Sequence, residues 1–298
     1  MYRGHENLKP DKKHFFLKKR FLIPTSILIT VSSLFAVLCL YSGYFFLPAF
    51  PNIYGLNKTL SSSSYSIYSS NEVTKLSQED IKKLIVETES FYGTNFQAPI
   101  RFIFFSSEKM FERISGIKKA RMATRIDGIY ISPRGVGVTE EDFKKFLKHE
   151  LSHKMLMQIM DYQPNKMQAI YYYFKLPTWL NEGLATLNGQ HIGIEGYPNM
   201  HDIKIILSKN QIKNPYLFLK NRTTYKPEEF TKNKVFYSLS SFFVNSLIEN
   251  FGKNRLNLYL LSLSSSTDWE IEFEKNFNIS FQDYVQLFIA NISKANLK

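Results

Sequence analysis

From Phe21 to Phe50 the chain carries no charged residue, and Ile27 to Leu47 forms a predominantly apolar run of 21 residues. At 1.5 Å per residue such a run, as a helix, spans a bilayer core of ~30 Å. Tyr41, Tyr44, Phe45 and Phe46 gather at its end, where an interfacial aromatic belt would sit, and Pro48 and Pro51 then stop the helix. The run is longer than the apolar region of a signal peptide, and Pro48-Ala49-Phe50 makes a poor cleavage site, so the pattern predicts an uncleaved anchor over residues 21–48. Residues 49–76, with SSSSYSIYSS and little periodicity, read as an extended linker.

From Ser77 onward the pattern predicts a folded domain. SQEDIKKLIVETESFYG has a Ser cap, acids in the first turn and apolar residues at 81, 84, 85 and 91, which predicts a helix. APIRFIFF (98–105) predicts a buried strand, SSEKMFERISG (106–116) a capped helix, and GIYISPRG (128–135) a strand closed by Pro133. Thr139 and Asp142 resemble a capping box that opens a long helix to about Ile159. A second helix is expected near Trp179, after Pro177. From Ile203 the periodicity is mostly helical, strongest in VFYSLSSFFVNSLIENFG (235–252). The order predicts an α+β fold over 77–298: a small sheet half with the central helices (77–202), then a mainly helical half (203–298).

Composition narrows the class. Aromatic residues make up 15% of the 298, which excludes a largely disordered chain. The single cysteine, Cys39, excludes an intrachain disulfide framework and a Cys-based zinc finger. The net charge is +12, of which residues 1–20 contribute +5 from seven Lys/Arg and two Asp/Glu. Lys12, Lys13, Lys18, Lys19 and Arg20 before the apolar run predict a cytoplasmic N-terminus and an extracytoplasmic domain. No basic run with interleaved aromatics follows residue 20, so a nucleic-acid partner is not expected.

The candidate chemistry lies in the long helix. His149-Glu150-Leu151-Ser152-His153 places two imidazoles one turn apart on one face, where both reach one metal ion. Zn²⁺ accepts neutral imidazole and prefers four ligands. Glu150 is offset by ~100° and is better placed to hold a water at the metal than to ligate it; that is the position of a general base. The spacing alone arises by chance on the order of once per hundred such chains. It gains weight because the helix is otherwise apolar, where two unpaired histidines would be unwelcome, and because Glu182 follows on a second predicted helix, within KLPTWLNEGLATLNG (175–189).

HELSH followed by LPTWLNEGLA resembles the gluzincin metallopeptidases, in particular peptidase MA-like domains. The similarity takes in GIYISPRG, FYSLSSFFVNSLIENFG and FEKNFNISFQDYVQLFI, and so covers about residues 98–292. The resemblance implies a zincin-like fold, His149, His153 and Glu182 as ligands of one Zn²⁺, and Glu150 as the catalytic base. It also implies Tyr237 as a candidate to stabilise an oxyanion. The third metzincin histidine and the aminopeptidase G-x-M-E-N motif are absent from this sequence, and Thr186 stands where thermolysin-like enzymes carry a supporting carboxylate. His191 and His201, in and after a Gly-rich loop, are candidates to line a substrate site. The expectation is a membrane-anchored zinc peptidase acting on a peptide or protein, its substrate strand added at Gly128–Ser132. The rival expectation is a zinc-binding but inactive receptor or scaffold.

Overall fold

In a computed structural model, residues 56–69, 76–125, 127–160, 176–194, 196–221, 230–266 and 268–294 are described, together with Thr30, Ser32 and Ser33. The chain divides into two compact units, Met1–Leu47 and Pro48–Lys298; the sheet, its helices and the candidate site belong to the second. No helix among the described residues is long and apolar enough to cross a membrane. The expected anchor lies outside the described residues, apart from the three named above.

Strand alternation builds one sheet with two covered faces. Its strands are β1 (Asn57–Ser61), β2 (Tyr65–Ser69), β3 (Ile100–Phe104), β4 (Met122–Arg125) and β5 (Gly128–Ile131), in the order β1-β2-β3-β5-β4. β2, β3 and β5 run parallel, and the outer pairs β1–β2 and β4–β5 are antiparallel. Successive side chains of a strand point to opposite faces. Accordingly Tyr65, Ile67, Ile100, Phe102, Phe104, Met122, Ile129 and Ile131 enter one core, whereas Ile103, Ala123 and Tyr130 enter another.

Two helices cover the larger face. α1 (Gln78–Tyr92) starts at a full capping box between Ser77 and Asp80 and contributes Ile81, Leu84 and Ile85. α2 (Glu108–Ser115), capped by Ser107, covers the opposite face with Phe111. A single turn, α3 (Pro133–Val136), leads to α4 (Glu140–Ile159), whose Thr139 hydroxyl accepts the Asp142 N–H at 3.1 Å. Glu140, Glu141 and Asp142 lie in its first turn, where the helix dipole favours negative charge.

α4 serves two cores. Phe143, Phe146, Leu147 and Leu151 pack on the sheet, whereas Met155, Leu156 and the following Met160 join the helical core. That core is completed by α5 (Thr178–Gly189), α6 (Met200–Ser208), α7 (Pro215–Asn221), α8 (Phe230–Phe251), α9 (Lys253–Leu263), α10 (Trp269–Phe277) and α11 (Phe281–Lys294). Trp179 of α5 is fully buried, edge-on to Phe243 at 5.0 Å between ring centroids and stacked on Phe281 at 5.3 Å. The molecule is thus mixed α+β with a small five-stranded sheet.

Two expectations change. Residues 57–69 lie within the stretch read as a linker, yet they form β1 and β2. Serines mask the alternation there: Tyr65 and Ile67 are buried, and so are Ser66 and Ser69. The second change concerns the expected docking edge. β5 is interior, because Met122–Arg125 supplies a further strand that pairs with it; β4 is the edge strand.

Candidate metal centre

The 3.6-residue repeat of α4 sets His149 and His153 on one face, their rings 4.7 Å apart and nearly perpendicular, with the two Nε2 atoms at 3.0 Å. α5 crosses this face and brings Glu182 Oε2 to 3.4 Å from His149 Nε2 and 3.6 Å from His153 Nε2. One ligand atom from each residue lies within 4.8 Å of the others. The three residues are 7–9% exposed, which leaves a narrow approach from solvent.

The seat of α5 is fixed by close packing against α8 and by polar contacts to α4. A Cβ on Gly183 would lie 2.6 Å from the Ser240 carbonyl and 2.8 Å from Val244 Cγ2, so only glycine lets α5 sit this close to α8. At the far end of α5, Asn188 Nδ2 donates to Ser152 Oγ at 2.8 Å and approaches Lys148 O and Thr88 Oγ1 at 3.3 Å. Helix α5 is buried almost all round, and a polar group inside a protein needs a partner.

Asn181 has such a partner. Its Oδ1 accepts the Nδ1–H of His153 at 2.9 Å. That bond holds the hydrogen on Nδ1 and turns the Nε2 lone pair toward His149 and Glu182, as a ligand requires. Burial pushes the Glu182 carboxyl up, but His153 and His149 outweigh it and hold the group below its usual pKa. Glu182 Oε2 is buried with no hydrogen-bond donor among the described residues. Two imidazole nitrogens and one carboxylate oxygen make a donor set that suits zinc with an open fourth position. The residues present therefore fit a metal ion.

Glu150 contacts the sheet. Thr124 Oγ1 of β4 lies 2.7 Å from Glu150 Oε2 and 2.8 Å from the Glu150 carbonyl. Tyr237, on α8, is half-buried with its ring centroid 6.1 Å from that of His149.

His191 takes a different place from the one expected. After Gly189 the chain turns through Gln190, which adopts φ 55°, and the His191 ring stacks on His149 at 4.9 Å. Phe146 and Tyr197 close around it at 4.8 and 5.2 Å. Burial drives its pKa well below the usual value, so the ring is neutral at pH 7. It backs a candidate ligand and does not line a substrate site. His201 is exposed on α6. Thr186 is buried and its hydroxyl has no hydrogen-bond partner among the described residues, whereas Asn181 supports His153. Sequence reasoning missed Asn181, Thr124 and the packing role of His191. Asn181 gave no signal of its own, being one of several polar residues on that helix, with Glu182, Thr186 and Asn188. No protein-family model matches the chain, and no curated protein matches it.

Proposed function

We propose that the protein is a zinc-dependent peptidase anchored in a membrane by residues 21–48, with the domain that holds the site on the extracytoplasmic side. The observation that carries this reading is the convergence of His149, His153 and Glu182, with Glu150 next to His149 in the chain and its carboxylate 2.7 Å from Thr124 of the edge strand. A zinc ion held by the three residues would supply Lewis acidity toward a carbonyl and a water nucleophile at neutral pH. Glu150 takes the proton of the attacking water and passes it to the leaving nitrogen. Tyr237 is assigned to the developing oxyanion.

The substrate seat follows from strand chemistry. Ser132 N–H donates to the Arg121 carbonyl at 2.9 Å. In an antiparallel pair this alternation turns the backbone groups of residues 121, 123 and 125 toward β5 and those of Met122 and Thr124 outward. An extended peptide added at β4 meets those outward groups. This replaces Gly128–Ser132 as the docking strand.

The rival reading is an inactive zinc-binding receptor or scaffold. It leaves the Thr124–Glu150 contact without a use. The test is hydrolysis of a peptide library by the full chain in detergent, with and without a chelator, and by Glu150→Gln. Hydrolysis should require metal, and the variant should retain zinc while turnover drops ~10²–10⁴-fold, the usual contribution of general acid–base catalysis. A zinc-loaded wild type that cleaves nothing in the library would favour the scaffold.

A further inference from the structure

We infer that Thr124 is a positioning residue that holds Glu150 in register with whatever strand docks at β4. The inference rests on the peptidase reading above. It starts from two distances: one hydroxyl lies 2.7 Å from Glu150 Oε2 and 2.8 Å from the backbone oxygen of the same residue. Both contacts reach across from an edge strand to α4. Together they tie the base's side chain and its backbone to one point on the sheet.

The chemistry of the contact matters. A threonine hydroxyl has one hydrogen to give, and an ionised carboxylate can only accept. The single hydrogen is therefore shared between the Glu150 backbone oxygen and Oε2, so that one hydroxyl marks a fixed point for both. A glutamate side chain otherwise turns freely about three bonds, and small displacements of a reacting group cost rate steeply. A β-branched residue without a hydroxyl would serve an edge strand equally well, so strand formation alone does not call for threonine.

Thr124 also stands where the docking strand would run. It pairs with Ile129 of β5 in a position that turns its own N–H and C=O to the open edge. Its backbone would contact the substrate while its side chain contacts the base. Substrate and base are thereby placed relative to one residue.

The test compares Thr124→Val and Thr124→Ser with the wild-type full chain. Valine keeps shape and backbone pairing and removes the hydroxyl; serine restores it. We expect all three to bind zinc equally, Thr124→Val to lose on the order of 10- to 100-fold in kcat with KM nearly unchanged, and Thr124→Ser to recover most of the loss. A second readout needs no activity. In the metal-free chain, the ¹³C resonance of the Glu150 carboxyl carbon, assigned by its disappearance in Glu150→Gln, should shift in the valine variant and return in the serine variant. The inference is overturned if the resonance is the same in all three, if serine behaves like valine, if zinc is lost, or if KM changes and kcat does not. A wild type without peptidase activity would refute the functional reading alone, since the resonance still decides whether Thr124 holds Glu150.

Discussion

Asn181 shows how much one side chain can decide. It is the neighbour of a candidate ligand in sequence and the orienting partner of another in space. Replacing it with leucine keeps its bulk and the helix, but frees the His153 ring to turn and to change tautomer. Outer partners of this kind typically contribute 10–100-fold in metal affinity. Asn181→Leu should therefore bind zinc about 10- to 100-fold more weakly in chelator competition, with Glu150 and its contact to Thr124 intact. Unchanged affinity would mean that the His153 ring keeps its place without the Asn181 hydrogen bond. Neither Asn181 nor Thr124 could be assigned from the sequence. Each meets its partner across 28 or 26 residues, and nothing local in WLNEG or MATR specifies such a pairing.

Among elements, the α5–α8 crossing is closely packed beside the site. Gly183→Val would drive a side chain into the Ser240 carbonyl, so α8 must retreat or α5 must shift. Overpacking of this kind costs about 1–3 kcal/mol, and here it moves the residue next to Glu182. We expect a lower thermal midpoint together with weaker zinc binding, and addition of excess zinc should restore part of the midpoint. A second contact joins α1 to α4. Asp80, besides capping α1, bonds Lys144 Nζ at 2.7 Å; Lys144 and then Ser77 hold its pKa down at about 2. A carboxyl whose pKa is lowered by folding contributes stability above its unfolded value and loses it as pH falls through the folded value. The stability difference between wild type and Asp80→Asn should thus be constant near neutrality and shrink between about pH 4 and pH 2. It should also shrink in concentrated salt, because the pair is partly exposed. Helix starts were legible because their signals are local: Ser77, Ser107 and Thr139 each cap the helix the pattern assigned to them. β1, β2 and β4 were not legible. Their serines and short runs carry little periodicity, and only pairing with distant strands makes them strands.

For the whole molecule, the proposed topology rests on the uneven charge. Five Lys/Arg at 12–20 precede an uncharged run, so a reporter fused after Lys298 should be active only outside the cytoplasm, with the chain uncleaved in the membrane fraction. A cytoplasmic reporter would overturn that topology and leave the metal centre untouched. The shared use of α4 by two cores and the late position of α8 also set an order in time. His149, His153 and Glu182 leave the ribosome well before Ser240 and Val244, the residues against which α5 is pressed. Domains generally fold as synthesis proceeds from the N-terminus. The ligands are therefore made early, and the wall that fixes their spacing arrives late. The α5–α8 contact that seats Glu182 therefore forms only after Ser240 and Val244 have been made.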